Sequence, residues 1–144
     1  MSSTTDDAEQ IRNLMARIAH LADEGTMEEY VKVFTPDAVW EMPANPAVGV
    51  GASKRVGADD IVAGAVERRA AGTGGPGSFM RHVVSTVSID FDANDPDRAN
   101  TVAYWMFFND TSTAPRLVSM GRYDTEVKRY EGEWRVAHRR ITLG

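Results

Sequence analysis

The sequence predicts an α+β fold, in which helices come first and a meander of long strands follows, curled into a cone. Three observations carry this reading. Apolar residues recur at helical spacing between Ile11 and Ala22. From Phe79 onward apolar and polar residues alternate over long runs, which is the strand signature. The runs are separated by connections short enough for antiparallel hairpins. Helical and strand segments are therefore segregated along the chain, the order of α+β rather than of alternating α/β proteins. A curled antiparallel sheet with three N-terminal helices packed across it encloses a pocket at its open end.

Taken in order, residues 1–7 read as a flexible N-terminal tail and 8–144 as a single domain. Ile11, Leu14, Met15, Ile18, Leu21 and Ala22 form one apolar stripe, and Gly25 ends that helix. Thr26-Met27-Glu28-Glu29 has the form of a capping box opening a second helix through Tyr30, Val31 and Phe34. Thr35-Pro36-Asp37 stops it, because proline disfavours helix in the residue before it. Ala38–Met42 is a short strand, and 43–57, with two prolines and three glycines, reads as a loop. A third helix is expected from about Asp59 to Ala71 with Ile61, Val62, Ala65 and Val66 inward.

Gly72-Thr73-Gly74-Gly75-Pro76-Gly77 is a connection and not a phosphate loop, since it lacks Lys-Ser/Thr and precedes a strand. Strands are expected over 79–91, 100–108, 117–130 and 134–142. In the first, Val83, Val87, Ile89 and Phe91 fall on one face and His82, Val84, Thr86 and Ser88 on the other. Gly121, in the middle of a long strand, suggests a bulge.

Composition narrows the function. At 144 residues, 42% hydrophobic and 26% charged, the chain is an ordinary globular protein able to bury a core without staples. A formal charge of −5 with scattered Lys and Arg argues against a nucleic-acid partner. With no cysteine there is no disulfide, thiolate nucleophile or Cys-based zinc site. No His/Asp/Glu cluster has metal-ligand spacing, so a mechanism without metal or other cofactor is the expectation. Met1–Gln10 lacks the basic and apolar regions of a signal peptide, and nothing approaches a transmembrane run of about 18 apolar residues. A cytoplasmic protein with no membrane partner is expected.

Several strings, in order along nearly the whole chain, resemble the NTF2-like superfamily and in particular its SnoaL-like branch. They are Ile11-Arg12-x-Leu14, Ala22-Asp23-x-Gly25, Tyr30-x3-Phe34-Thr35-Pro36-Asp37-Ala38-Val39-Trp40, Arg81-His82, Gly121-Arg122-Tyr123 and Glu131-Gly132-x-Trp134-Arg135. The superfamily includes ketosteroid isomerases, scytalone dehydratases, hexachlorocyclohexane dehydrochlorinases, polyketide cyclases, small subunits of ring-hydroxylating dioxygenases and non-catalytic transport factors. The dehydratases and dehydrochlorinases use an Asp at the end of the first helix with a His on the first long strand. Asp23 and His82 match those positions, and Arg139 matches an arginine of the dehydrochlorinases. The chain departs from both patterns. The strand Thr101–Phe108 has no histidine, Ala22 and Met42 stand at the tyrosine positions of the dehydratases, and Ile18 stands at the lysine position of the dehydrochlorinases.

The resemblance implies an Asp23–His82 dyad in a cofactor-independent lyase or isomerase of dehydratase, dehydrohalogenase or cyclase type. Neutral imidazole accepts a proton near neutral pH once its tautomer and direction are fixed, and a carboxylate on one ring nitrogen fixes both. Taken alone, Asp23 lies off the centre of the apolar stripe and reads as a helix-end surface carboxylate. His138 falls with Trp134 and Val136 by alternation, buried or facing the cavity; Arg139 points the other way, toward an anion in the pocket or toward surface carboxylates. Trp40, Trp105, Phe107 and Tyr123 are core or pocket wall, suiting a small, ring-containing, apolar substrate. A homodimer or homotrimer through the sheet is expected. The rival expectations are a non-catalytic small-molecule-binding or assembly domain, and the small subunit of a ring-hydroxylating dioxygenase.

Overall fold

The computed structural model describes residues 3–144. The first helix, α1 (Thr4–Glu24), starts inside the segment expected to be a tail. Ser3 caps it: its hydroxyl accepts from the Asp6 N–H at 3.1 Å while the Asp6 carboxylate accepts from the Ser3 N–H at 3.4 Å. This reciprocal cap uses Asp where Glu or Gln is usual, and the shorter side chain hid it in the sequence. The rest of the expected tail, residues 1 and 2, lies outside the described residues. Asp7 is buried and accepts from Arg129 at 3.0 Å and from the Trp134 indole at 3.1 Å, tying the start of α1 to the far end of the sheet.

The second helix, α2 (Met27–Val31), is shorter than expected, because Phe34 already opens strand β1 (Phe34–Met42). Thr35-Pro36-Asp37 therefore lies in a strand. The ladder between β1 and the last strand is interrupted from Phe34 to Val39, and Pro36, which has no N–H to give, falls in that gap. Within the segment read as a loop lie a 3-10 turn (Pro46–Val48) and a strand, β2 (Ser53–Val56), paired antiparallel with β1. Ser-Lys-Arg-Val has no apolar alternation; the partner strand decides it. Helix α3 (Ala58–Ala70) follows, then β3 (Arg81–Phe91), β4 (Arg98–Asn109), β5 (Arg116–Tyr130) and β6 (Glu133–Leu143).

The six strands make one sheet in the order β2-β1-β6-β5-β4-β3. Every pairing is antiparallel except β1 with β6. The helices cover one face, and Ile11, Met15, Tyr30, Phe34, Ile61, Val127 and Val136, all at most 1% exposed, fill the space between. Burying a side chain of this size stabilises by roughly 1.5–3 kcal/mol.

Three bulges curl the sheet and decide which side chains face inward. In β3 the extra residue is at Thr86–Val87, opposite Ala103, and Thr86 adopts φ 52. The bulge corrects the expected alternation: His82 and Val84 share the inner face with Val87, Ile89 and Phe91, while Val83 is 42% exposed. In β5 the bulge is at Val118, between Leu117 and Ser119. It is not at Gly121, whose register is regular on both sides. Glycine is needed there for close approach, since a Cβ would lie 1.9 Å from the Thr142 carbonyl oxygen and 2.8 Å from the Trp105 ring. The third bulge, at Ala137 in β6, is taken up with the site.

Candidate functional site

Between the helices and the curled sheet lies a cavity of about 990 Å³, the open solvent at its mouth included. All seven residues singled out in the sequence, Asp23, Trp40, His82, Trp105, Phe107, Tyr123 and Arg139, line it. Thr101, Ala103, Trp105 and Phe107 are all buried, which settles which face of β4 looks inward. Ile18, Ala22 and Met42 contribute an apolar wall. The segment 43–50 borders the mouth, held to β5 by Asn45 Nδ2 donating to Ser119 Oγ at 3.1 Å.

Asp23 and His82 meet in this wall. His82 Nδ1 is 2.6 Å from Asp23 Oδ1, and Asp23 Oδ2 accepts from the His82 backbone N–H at 2.9 Å. A carboxylate only accepts, so the proton of this contact belongs to Nδ1, and in the neutral imidazole Nε2 is the unprotonated nitrogen. The two bonds fix both the ring's direction and the place where β3 begins. Asp23 is 7% exposed, so the end of α1 that a helical wheel leaves facing solvent is covered, chiefly by the start of β3. His82 rests on Phe107 with ring centroids 4.6 Å apart.

Arg69, which the sequence showed only as one of a basic pair, supports this arrangement from α3. Its Nη2 donates to the carbonyls of Leu21 and Ala22 at 2.9 and 3.2 Å, giving the last turn of α1 the cation it lacks in its own sequence. Gly75, at φ 91, makes room for it: a Cβ there would lie 2.5 Å from Arg69 Cγ.

Another part of the wall is cationic. Arg139 is 1% exposed; its Nε donates to Thr125 Oγ1 at 2.9 Å and one Nη lies 3.4 Å from Met15 Sδ. Its guanidinium lies 4.0 Å from the centre of the Tyr123 ring and 5.6 Å from that of Trp40. Among the described residues no carboxylate comes within ion-pair distance of Arg139, Arg68 or Arg69. Burial pushes the Arg139 guanidinium below its ordinary pKa, partly offset by Tyr123 and Tyr30, and burial does the same to Arg68. Burial also raises the phenols, Tyr123 to about 12 and Tyr30 in the same direction, so both are neutral hydroxyls. The indole N–H groups of Trp40 and Trp105 are buried without a partner among the described residues. An unsatisfied donor of this kind costs about 1–3 kcal/mol.

Arg139 faces inward because of the bulge at Ala137. Val136 pairs with Val127 and His138 with Glu126, so one residue is skipped between them. Counted by simple alternation His138 would share the face of Trp134 and Val136. The bulge instead sends His138 to the outer face, 2.6 Å from Glu41 Oε2, and brings Arg139 in. Of the expected site residues, then, the structure brings all together, and it adds Arg68, Arg69 and Tyr30. Among the described residues no group of three or more His, Cys, Asp or Glu could hold a metal ion. Among the described residues no helix is long and apolar enough to cross a membrane.

Comparison with known proteins agrees with this architecture. A protein of unknown function from Nostoc punctiforme with a cystatin-like fold superposes with a TM-score of 0.80 at 19% identity, covering 100% of this chain and 96% of that one. A candidate scytalone dehydratase from Novosphingobium aromaticivorans gives 0.73 at 18% identity, covering 97% and 85%. The beta subunit of a candidate aromatic-ring-hydroxylating dioxygenase from the same organism gives 0.74 at 18%, covering 98% and 92%. No curated protein matches the chain. The curled, unclosed six-stranded sheet with its few helices is the NTF2-like cone. The family model of the SnoaL-like domain matches residues 3–140, nearly the whole chain. The chain belongs to the SnoaL-like family.

Proposed function

We propose that the protein is a cofactor-independent lyase or isomerase of dehydratase, dehydrohalogenase or cyclase type, working as one domain. His82 is its general base and Asp23 the residue that orients it. The observation that supports this most is the double clamp of Asp23 on His82, on its Nδ1 and its backbone N–H, at the wall of a largely apolar cavity. In this reading Nε2 of His82 takes a proton from a carbon of a ring-containing substrate. The C–H electron pair then forms a double bond as a leaving group departs from the neighbouring carbon, or moves onto an adjacent carbonyl. Asp23 stabilises the imidazolium formed. The indole N–H groups of Trp40 and Trp105, the hydroxyls of Tyr30 and Tyr123, and Arg139 are the donors available to a developing oxyanion. Trp40, Trp105, Phe107 and Tyr123 supply the walls against which a ring packs.

The same reading has the protein act in the cytoplasm on a small molecule, as a homodimer or homotrimer through the outer face of the sheet. Val83, Met106 and Met120 are successive partners across β3, β4 and β5, with Val83 and Met120 more than 40% exposed. Light scattering on the purified protein tests the assembly. The decisive experiment on function is a screen of elimination, isomerisation and ring-closure substrates with the wild type and His82→Ala; turnover undiminished in the variant sinks the proposal. The likeness to a dioxygenase beta subunit favours one second reading, an assembly domain. Co-purification with a large iron-bearing subunit, with no turnover by the isolated chain, would select it.

A further inference from the structure

We infer that the ligand of this cavity carries a single negative charge: it is a cyclic or aromatic carboxylic acid whose carboxylate lies against Arg139 and Arg68. This rests on the cavity being the functional site, not on the dyad being catalytic. The cavity wall holds three guanidinium groups, Arg68, Arg69 and Arg139, and a single carboxylate, Asp23, whose two oxygens are both engaged by His82. Arg69 is engaged through its Nη2 by the carbonyls at the end of α1, while its buried Nε has no partner among the described residues. Arg139 and Arg68 are left with no carboxylate within ion-pair distance among the described residues, and Glu67, which acts on Arg68 from further off, is itself paired with Arg55.

A buried cation is normally paired, because withdrawing its charge from water is otherwise uncompensated. Arg139 is 1% exposed and held in place by Thr125 and by the Tyr123 ring, so it cannot swing out to solvent. Arg139, Arg68 and the clamped Asp23 carboxylate all act electrostatically on the same two phenols, Tyr30 and Tyr123, so the two cations lie around one part of the cavity with Asp23 at its edge. The unpartnered indole N–H groups of Trp40 and Trp105 belong to residues of the same wall. Such a set accepts an anion, and the apolar residues around it accept a ring.

A planar monoanion fits better than a phosphate. Arg68 and Arg69 stand in the last turn of α3, the end of a helix whose carbonyls carry partial negative charge. Phosphate sites use the opposite helix end or a nest of backbone N–H groups. Guanidinium forks hold carboxylate and phosphate alike, but a phosphate dianion meets the greater repulsion from those carbonyls. The sequence suggested an apolar ligand; the side chains assign an apolar body with one charged end.

The test compares 2-naphthoate with its methyl ester, equal in ring but not in charge, by tryptophan fluorescence and NMR titration of the full chain at neutral pH. The acid is expected to bind at least about 10-fold more tightly than the ester. That preference is expected to fall to about 2-fold or less in Arg139→Met and in Arg68→Met. The second variant, at a half-buried position, keeps the test valid if the first does not fold. It is also expected to survive in His82→Gln, which separates this inference from the catalytic reading: charge-selective binding without turnover upholds the one and removes the other. Equal binding of acid and ester overturns the inference, as does a preference that persists in Arg68→Met and in whatever Arg139→Met folds. Failure of the acid to bind at about 5 mM overturns it too.

Discussion

The molecule contains two histidine–carboxylate pairs with the same separation, 2.6 Å, and they stand on opposite faces of one sheet. His82–Asp23 is on the inner face and His138–Glu41 on the outer. Distance does not distinguish them; surroundings do. The Asp23 side chain is 8% exposed and gives its second oxygen to the His82 backbone, so the pair has one geometry. The Glu41 side chain is 30% exposed and shares the oxygen that holds His138 with Arg140 at 3.4 Å. One ring borders a cavity lined with aromatics and unpaired cations, the other a more open depression beside Asp124, Glu126 and Arg140. A histidine–carboxylate contact is therefore not a site by itself; a dry space for a reacting molecule has to adjoin it.

Substitution of the two bases sharpens the contrast most. With a substrate in hand, His82→Ala is expected to lower kcat by about 10²–10⁴, the usual range for a general base. His138→Ala is expected to leave kcat unchanged. Comparable losses in both variants would break the comparison.

The carboxylates come next. Asp23→Asn presents an amide N–H to one of two donors, and so leaves either the imidazole in the wrong tautomer or the His82 N–H without an acceptor. A fall in kcat of about 10²-fold or more is expected from the first. A loss of about 1–3 kcal/mol in urea unfolding is expected from the second. Glu41→Gln, on a solvated face, is expected to leave urea unfolding essentially unchanged. Nitrogen NMR of the ring gives a readout independent of turnover: His82 should present Nδ1–H in the wild type and lose that tautomer in Asp23→Asn where the amide N–H faces the ring. An unchanged spectrum together with unchanged stability would mean that Asp23 does not orient the ring.

How much of this contrast was legible in the sequence depends on the bulges. Alternation gave the strands and their hairpin order, and the strings around Asp23, Phe34–Trp40 and Glu131–Arg135 gave the cone. Asp23 itself was misplaced by its helical wheel, because a wheel knows the helix and not the strand that crosses its last turn. Arg139 and His138 exchange faces through one extra residue, Ala137, and Val87, Ile89 and Phe91 join His82 through another at Thr86. A bulge of this kind depends on the twist the neighbouring strands impose, so nothing in Val136-Ala137-His138 marks it. Arg68 and Arg69 were read among scattered charges because they close a helix whose inward face was signalled only by Ile61, Val62, Ala65 and Val66, the last of which is 49% exposed. Their position over the cavity is a tertiary fact.

Neighbouring arginines on the two faces offer a smaller effect. Arg139→Met removes a cation that has no carboxylate partner among the described residues and keeps a long apolar side chain against Tyr123 and Trp40. Exchange of a buried charge for a fitting apolar group is often neutral or stabilising. Urea unfolding is expected to show a change between about zero and a gain of 1 kcal/mol, with Arg140→Met on the outer face silent. A loss of about 3 kcal/mol or more in Arg139→Met would mean that the guanidinium is a structural keystone and that its lack of a partner says little about ligands.

The smallest effect, and the one that isolates the outer pair, is the acid dependence of stability. The hydrogen bond from His138, with Arg140 and Lys54 nearby, holds the Glu41 carboxyl below its ordinary value of 4.5. Its folded pKa is depressed, so its contribution to stability is complete above the unfolded value. That contribution is lost as pH falls through the folded value, in the window below 4.5. The difference in Tm between wild type and Glu41→Gln should therefore be small and constant near neutral pH and disappear in strong acid, where Glu41 is protonated and resembles the amide. Because the group is solvated, added salt should shrink the difference further. Catalysis should follow none of this. A Glu41→Gln protein whose turnover shifted with pH differently from wild type would show that the outer pair reaches the reaction through β6, on which His138 and Arg139 are neighbours, and the two faces would then have to be treated as one site.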